Sequence, residues 1–191
     1  TLLPRYHCSE EFLKAKAPGD IFLKLFDAVE LEIGAHAASV MMLDEVSGHL
    51  KIVFSRNINP SIIKDIKIRP GEGISGKVYE TGKPVILNRS TQYTTAFAEY
   101  LKRKDISASI SFPMTSRGKI AGVVNISRID RDTEYSESDI ELLSVLVKFA
   151  NIALENVSYI KEREEHVRVK TMMQQYVAPE VPELLIEKKE D

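Results

Sequence analysis

A single cysteine, Cys8, in 191 residues excludes an intramolecular disulfide and any cysteine-based zinc cluster. It also leaves no resolving thiol for dithiol redox chemistry, and it fits a reducing, cytoplasmic setting. Net charge is equally scant. A formal −2 offers no field to gather a phosphate backbone, so nucleic acid is not an expected partner. Long apolar runs are missing too: residues 142–157 are interrupted by Ser144, Lys148, Asn151 and Glu155, short of the roughly 20 clean residues that a membrane span requires. No membrane contact is expected of this stretch. The chain opens on Thr-Leu-Leu-Pro-Arg-Tyr-His, without a basic region followed by an apolar core, and the lack of an initiating Met points to a piece of a longer protein. His7, His36, His49 and His166 are scattered, with no HExxH metal motif and no Gly-x-Ser-x-Gly elbow. No catalytic residue and no metal ligand is therefore assigned, and the chain by itself is not expected to be an enzyme.

What is present describes one folded domain of ordinary size with an appendage. Apolar residues make up 43% and charged residues 28%, close to the averages for globular chains. After Ala17-Pro18-Gly19, Asp20 stands where an N-cap belongs. Ile21, Phe22, Leu25, Phe26, Val29 and Ile33 then recur at three- and four-residue steps, which predicts an amphipathic helix ending at Gly34. Residues 38–43 and 50–54 read as strands around the turn Glu45-Val46-Ser47-Gly48, hence a hairpin. A short helix over 61–65 and a brief strand over 66–69 lead into Pro70-Gly71-Glu72-Gly73. A helix over 74–80, closed at Gly82, and a strand over 85–87 follow. Residues 88–105 lack strong periodicity, the composition of a segment that covers a site. Strands over 107–114 and 120–126 flank Ser116-Arg117-Gly118-Lys119, a second hairpin.

The last element is a long helix. Ser136 with Asp139 three residues on forms a capping-box start, and Leu143, Leu146, Ala150, Ala153, Val157, Ile160, Glu164 and Val167 keep a heptad rhythm suited to a coiled coil, which Glu164 weakens late. The order of elements predicts an α/β (α+β) fold, with a central antiparallel sheet of about six strands, helices packed on it and a long C-terminal helix. It divides the chain into an N-terminal segment (1–17), a core domain (18–160) and a helical connector (161–191).

The stretch Gly71-Glu72-Gly73-Ile74-Ser75-Gly76-Lys77-Val78-Tyr79-Glu80-Thr81-Gly82-Lys83-Pro84-Val85 resembles the GEGIxGxVxxTGxPV signature of the GAF family. Phe112-Pro113-Met114, Gly118-Lys119-Ile120-Ala121-Gly122-Val123 and Tyr135-Ser136-Glu137-Ser138-Asp139 resemble further landmarks of that family, in order. Gly71, Gly73 and Gly76 read as solving a backbone problem, because a phosphate loop would need a long preceding strand or a Gly-Lys-Ser/Thr that this stretch lacks. The resemblance implies a small-molecule sensor or dimerisation module whose ligand lies between the sheet and residues 88–105.

On the strands, Ser109 and Ser111 share one face, opposite Ile110 and Phe112, and Asn125 and Ser127 continue the polar pattern on the next strand. Tyr93, Phe97 and Tyr100 supply aromatic walls. Ser109, Ser111, Asn125, Tyr93, Phe97 and Tyr100 are the candidate ligand-binding residues; the ligand itself is left open and no cofactor is named. Asn125, Tyr135 and Asp139 match places in the pattern of cyclic-nucleotide-binding GAF domains, while Ile126 and Ile140 replace its Lys and Glu. Ile21, Leu25 and Val29 with Leu146, Ala150 and Val157 are expected to pair two copies in a parallel homodimer. At the tail, Tyr176-Val177-Ala178-Pro179-Glu180-Val181 is similar to the stretch that precedes the catalytic domain of bacterial adenylate or guanylate cyclases. A cyclase parent is thus the first expectation, with a histidine kinase, a sigma-54-type regulator or a purely structural module as alternatives.

Overall fold

A computed structural model describes residues 12, 14–90, 106–129 and 133–176. Helix α1 spans Pro18–Glu32 and begins three residues earlier than expected, with Ala17 rather than Asp20 at the N-cap. Proline is pre-set for the first helical position, because its fixed φ suits the helix and its missing N–H would be unpaired there anyway. Asp20 instead places its carboxylate in the positive first turn. The amides of Ile33 and Gly34 both donate to Val29 O at 3.0 Å, and Gly34 takes φ +81°, which closes the helix.

Strands β1 (Ala37–Asp44) and β2 (His49–Arg56) form the first hairpin. Helix α2 (Pro60–Ile63) is capped by Asn59, whose Oδ1 accepts from Ser61 N at 3.0 Å. Strand β3 is only Lys67–Ile68, half the expected length. Helix α3 (Gly73–Thr81) follows, then β4 (Val85–Asn88), β5 (Ala108–Ser116) and β6 (Lys119–Arg128). The entry to α3 is a close approach of backbone to backbone. Gly71 N donates to Gly76 O at 2.8 Å, and a Cβ on Gly76 would lie 2.4 Å from Arg69 O, so only glycine fits there.

The sheet has six strands in the order β3-β2-β1-β6-β5-β4, and each pair is antiparallel. Side chains alternate across it. Ala38, Val40, Ile110, Val124 and Ile126 are buried on one face in a cluster with Phe22, Phe26 and Val29 of α1. Helix α4 (Glu137–Tyr176) adds Leu143, Leu146, Val147, Ala150 and Ala153 to the same cluster. Its start is the expected capping box: Ser136 N donates to Asp139 Oδ2 at 2.7 Å and Asp139 N to Ser136 Oγ at 3.4 Å.

The chain divides into two compact units, Thr1–Val157 and Ser158–Asp191. In the first, Ile21, Leu25, Val29, Leu146 and Ala150 are buried inside the chain's own core, so they cannot form the surface that pairs two copies. The reason is physical: the sheet needs an apolar cover, and the helical stripe nearest to it supplies that cover first. In the second unit, Ile160 and Val167 stay 55% and 56% exposed. Among the described residues, no helix is long and apolar enough to cross a membrane.

Candidate ligand-binding site

The sheet face opposite α1 and α4 carries two polar rows. Register places Ser39 opposite Asn125 and Asn125 opposite Ser111; the next row sets Ala37 opposite Ser127 and Ser127 opposite Ser109. Helix α3 lies over this face and lowers Ser75 onto it. Ser75 Oγ donates to Asn125 Oδ1 at 3.1 Å, Ser111 Oγ donates to the same oxygen at 2.5 Å, and Asn125 Nδ2 reaches Ser39 Oγ at 3.5 Å. Asn125 is thereby held by three hydroxyls from three different elements. A buried amide left unpaired would cost about 1–3 kcal/mol, so these serines stabilise it.

Beside this node opens a cavity of about 500 Å³. Its floor is Ser39, Ser109, Ser111, Asn125 and Ser127; its walls are Ile52, Ile58, Ile62, Ile66, Ile68 and Ile74, with Ile106 two residues before β5. Among the described residues, neither Ser109 nor Ser127 has a hydrogen-bond partner for its hydroxyl, so both are open to a bound molecule. The charged lining residues, Asp65, Lys67 and Glu72, are exposed, which leaves the buried floor neutral. An apolar wall with a few convergent polar groups is the usual make-up of a small-molecule pocket.

The structure brings the candidates Ser109, Ser111 and Asn125 together on this floor. Tyr93, Phe97 and Tyr100 lie outside the described residues. Ser39, Ser75 and the isoleucine wall were not singled out from sequence. Ser39 becomes a candidate only once β1 is known to pair with β6 in a register that sets it opposite Asn125. His36 is exposed, and His49 Nδ1 is 2.6 Å from Ser47 O in the first hairpin turn.

Of the three positions matching the cyclic-nucleotide pattern, Asn125 is on the cavity floor, while Tyr135 and Asp139 gather around Arg128 on the helix side of the sheet. Arg128 Nη2 is 3.9 Å from Asp139 Oδ1, so the cation missing at Ile126 is supplied two residues later. The Tyr135 ring lies beneath the guanidinium, and burial pushes its phenol well above the usual range.

A family model described as GAF domain matches residues 15–155. A Nif-specific regulatory protein of Azospirillum lipoferum is 23% identical over 147 residues, covering 74% of this chain and 23% of that protein. The chain spans about a quarter of the length of the curated relatives it matches. The crystal structure of the GAF domain of an Acinetobacter phosphoenolpyruvate-protein phosphotransferase is similar at a TM-score of 0.69 and 19% identity, covering 83% of this chain and 95% of that one. The fRMsr of Staphylococcus aureus in complex with substrate is similar at a TM-score of 0.58 and 17% identity, covering 80% and 94%. With the signature at residues 71–85 and the six-stranded antiparallel sheet under long helices, the chain belongs to the GAF domain family.

Proposed function

We propose that this domain is a ligand-responsive regulatory module, in which a small molecule enters the cavity between the sheet and the layer of α2, α3 and the segment that joins them. The observation that carries the reading is the cavity itself: an isoleucine wall above a neutral floor whose Ser109 and Ser127 hydroxyls are unengaged among the described residues. The neutral floor favours an uncharged ligand with a hydrogen-bonding edge over a cyclic nucleotide, whose phosphate would meet no cation among the described residues of that floor. A substrate held by the similarly folded fRMsr supports the use of this architecture for a small molecule.

Occupancy is read out through α4, and the module pairs with a second copy along the exposed positions Ile160 and Val167. The relative named a Nif-specific regulatory protein favours a sigma-54-type regulator as the parent over a cyclase, whose resemblance rests on a short tail largely outside the described residues. A thermal-shift screen of uncharged metabolites and cyclic nucleotides tests the reading. A compound present at a hundredfold excess over its Kd adds about 2.7 kcal/mol, or about 5–10 °C in Tm for a chain of this size. A broad panel without any shift supports the purely structural module instead.

A further inference from the structure

Ser127 and Arg128 are consecutive at the end of β6, so their side chains leave opposite faces of the sheet. Ser127 is on the cavity floor, paired in register with Ser109. Arg128 is in the neighbouring row, where Asn88, Ala108 and Arg128 pair across β4, β5 and β6. On the helix side its guanidinium binds two helices at once. Nε donates to Gly34 O at 3.1 Å and Nη2 to Ile33 O, the carbonyls that directly follow α1. Nη1 donates to Glu134 O at 2.8 Å, three residues before α4 begins, and the same group stacks on Tyr135. Asn88 fastens the same point from the other edge: its Nδ2 donates to Tyr135 O at 2.7 Å and its Oδ1 accepts from Tyr135 N at 2.9 Å.

We propose that Arg128 is the positioning residue that couples occupancy of the cavity to α1 and α4; this rests on the ligand-binding reading above and assigns its route. A molecule hydrogen-bonded to Ser109 and Ser127 changes the pleat at the end of β6. The Arg128 backbone moves with it. A planar guanidinium has fixed donor directions, so it cannot follow that change and still keep three carbonyls that flank two helices. The bonds to Ile33, Gly34 and Glu134 are redistributed, and the junction of the two helices shifts between discrete packings rather than deforming smoothly.

The test supplies its own occupant, so it does not depend on finding the natural ligand. In a Cys8→Ser background of the 191-residue chain, Ser109→Cys is alkylated with N-ethylmaleimide, which places a neutral group in the cavity. Amide hydrogen exchange is then followed at residues 33–36 and 134–142. Alkylation is expected to change exchange there by about tenfold when Arg128 is present, and by less than about twofold in Arg128→Gln. Arg128→Lys, which keeps the charge but lacks the fork, is expected to behave as Arg128→Gln and serves if the Gln variant does not fold. Alkylation of Val46→Cys, exposed in the first turn, controls for the reagent and is expected to leave those amides unchanged. An equal response with and without Arg128, or none in the Arg128 protein, overturns the relay. Failure of the metabolite screen, by contrast, overturns only the sensory reading.

Discussion

The guanidinium carbon of Arg128 sits 4.1 Å from the centroid of the Tyr135 ring, while its nitrogens hold the carbonyls of Ile33, Gly34 and Glu134. The side chain is only 14% exposed, so these bonds are poorly replaced by water when it is removed. Arg128→Ala is expected to cost about 2–4 kcal/mol, from lost charge-assisted hydrogen bonds and the stacking. Urea denaturation measures it; a loss below about 1 kcal/mol contradicts the role given to this residue. Tyr135→Phe is the counterpart. The Tyr135 hydroxyl is buried with no hydrogen-bond partner among the described residues, so its removal is expected to leave stability unchanged or raise it by up to about 1 kcal/mol.

Two glycines give opposite expectations. Gly19 lies in the first turn of α1 with nothing within 4 Å of an added Cβ, so Gly19→Ala is expected to stabilise by about 0.5–1 kcal/mol. Gly76→Ala drives a Cβ into Arg69 O and is expected to cost at least about 2 kcal/mol, with damage centred on residues 69–76 beside the cavity. Equal effects at the two sites, read from thermal melts, contradict the packing described around α3.

Two carboxylates make stability depend on acid. The Ser90 amide donates to Glu134 Oε1 at 2.9 Å and the Ser90 hydroxyl to Oε2 at 3.0 Å, and both hold the Glu134 pKa below its ordinary value. Lys51, with Ser47 and Val46, lowers Asp44 to about 2. A depressed folded pKa means that the stabilisation is complete above the unfolded value, about 4 for these groups, and is lost as pH falls through the folded value. The urea midpoint is therefore expected to fall between about pH 4.5 and pH 2, less steeply in Glu134→Gln and Asp44→Asn. An unchanged slope in both variants removes these contacts from the account.

Two floor residues, Ser109 and Asn125, separate binding from folding. Ser109→Val removes a hydroxyl that makes no hydrogen bond among the described residues and is expected to change stability by less than about 1 kcal/mol. Asn125→Leu strands Ser39, Ser75 and Ser111 and is expected to cost about 1–3 kcal/mol. Circular dichroism with urea distinguishes the two; comparable losses contradict the division between open and engaged hydroxyls.

Pairing of two copies is tested at the exposed seam. Ile160→Glu combined with Val167→Glu is expected to give a monomer by light scattering, with the melting behaviour of the core domain retained. A dimer that survives both charges places the interface elsewhere.

Local chemistry made much of this legible from sequence. The turns at Ser47-Gly48 and Arg117-Gly118, the Ser136–Asp139 box and the glycine signature each rest on residues close together in the chain. What was hidden is non-local. Ser39 joins Asn125 across a register between strands some 86 residues apart, and Arg128 reaches Gly34 across 94. The rhythm of α4 was read correctly as apolar, but periodicity does not say whether a stripe covers its own sheet or a second copy. Leu146 and Ala150 do the first, and the seam intended for a partner loses them.

The central claim is that the cavity above Asn125 holds a small molecule, and the isoleucines around it are its natural reporters. Methyl-resolved NMR of the isoleucine-labelled chain, titrated with compounds from the metabolite panel, tests this most directly. The account predicts that at least one uncharged compound shifts the methyls of Ile52, Ile66, Ile68 and Ile74 together, and that Ser109→Val weakens the response. Shifts confined to isoleucines outside the cavity, or a response unaltered in Ser109→Val, contradict it.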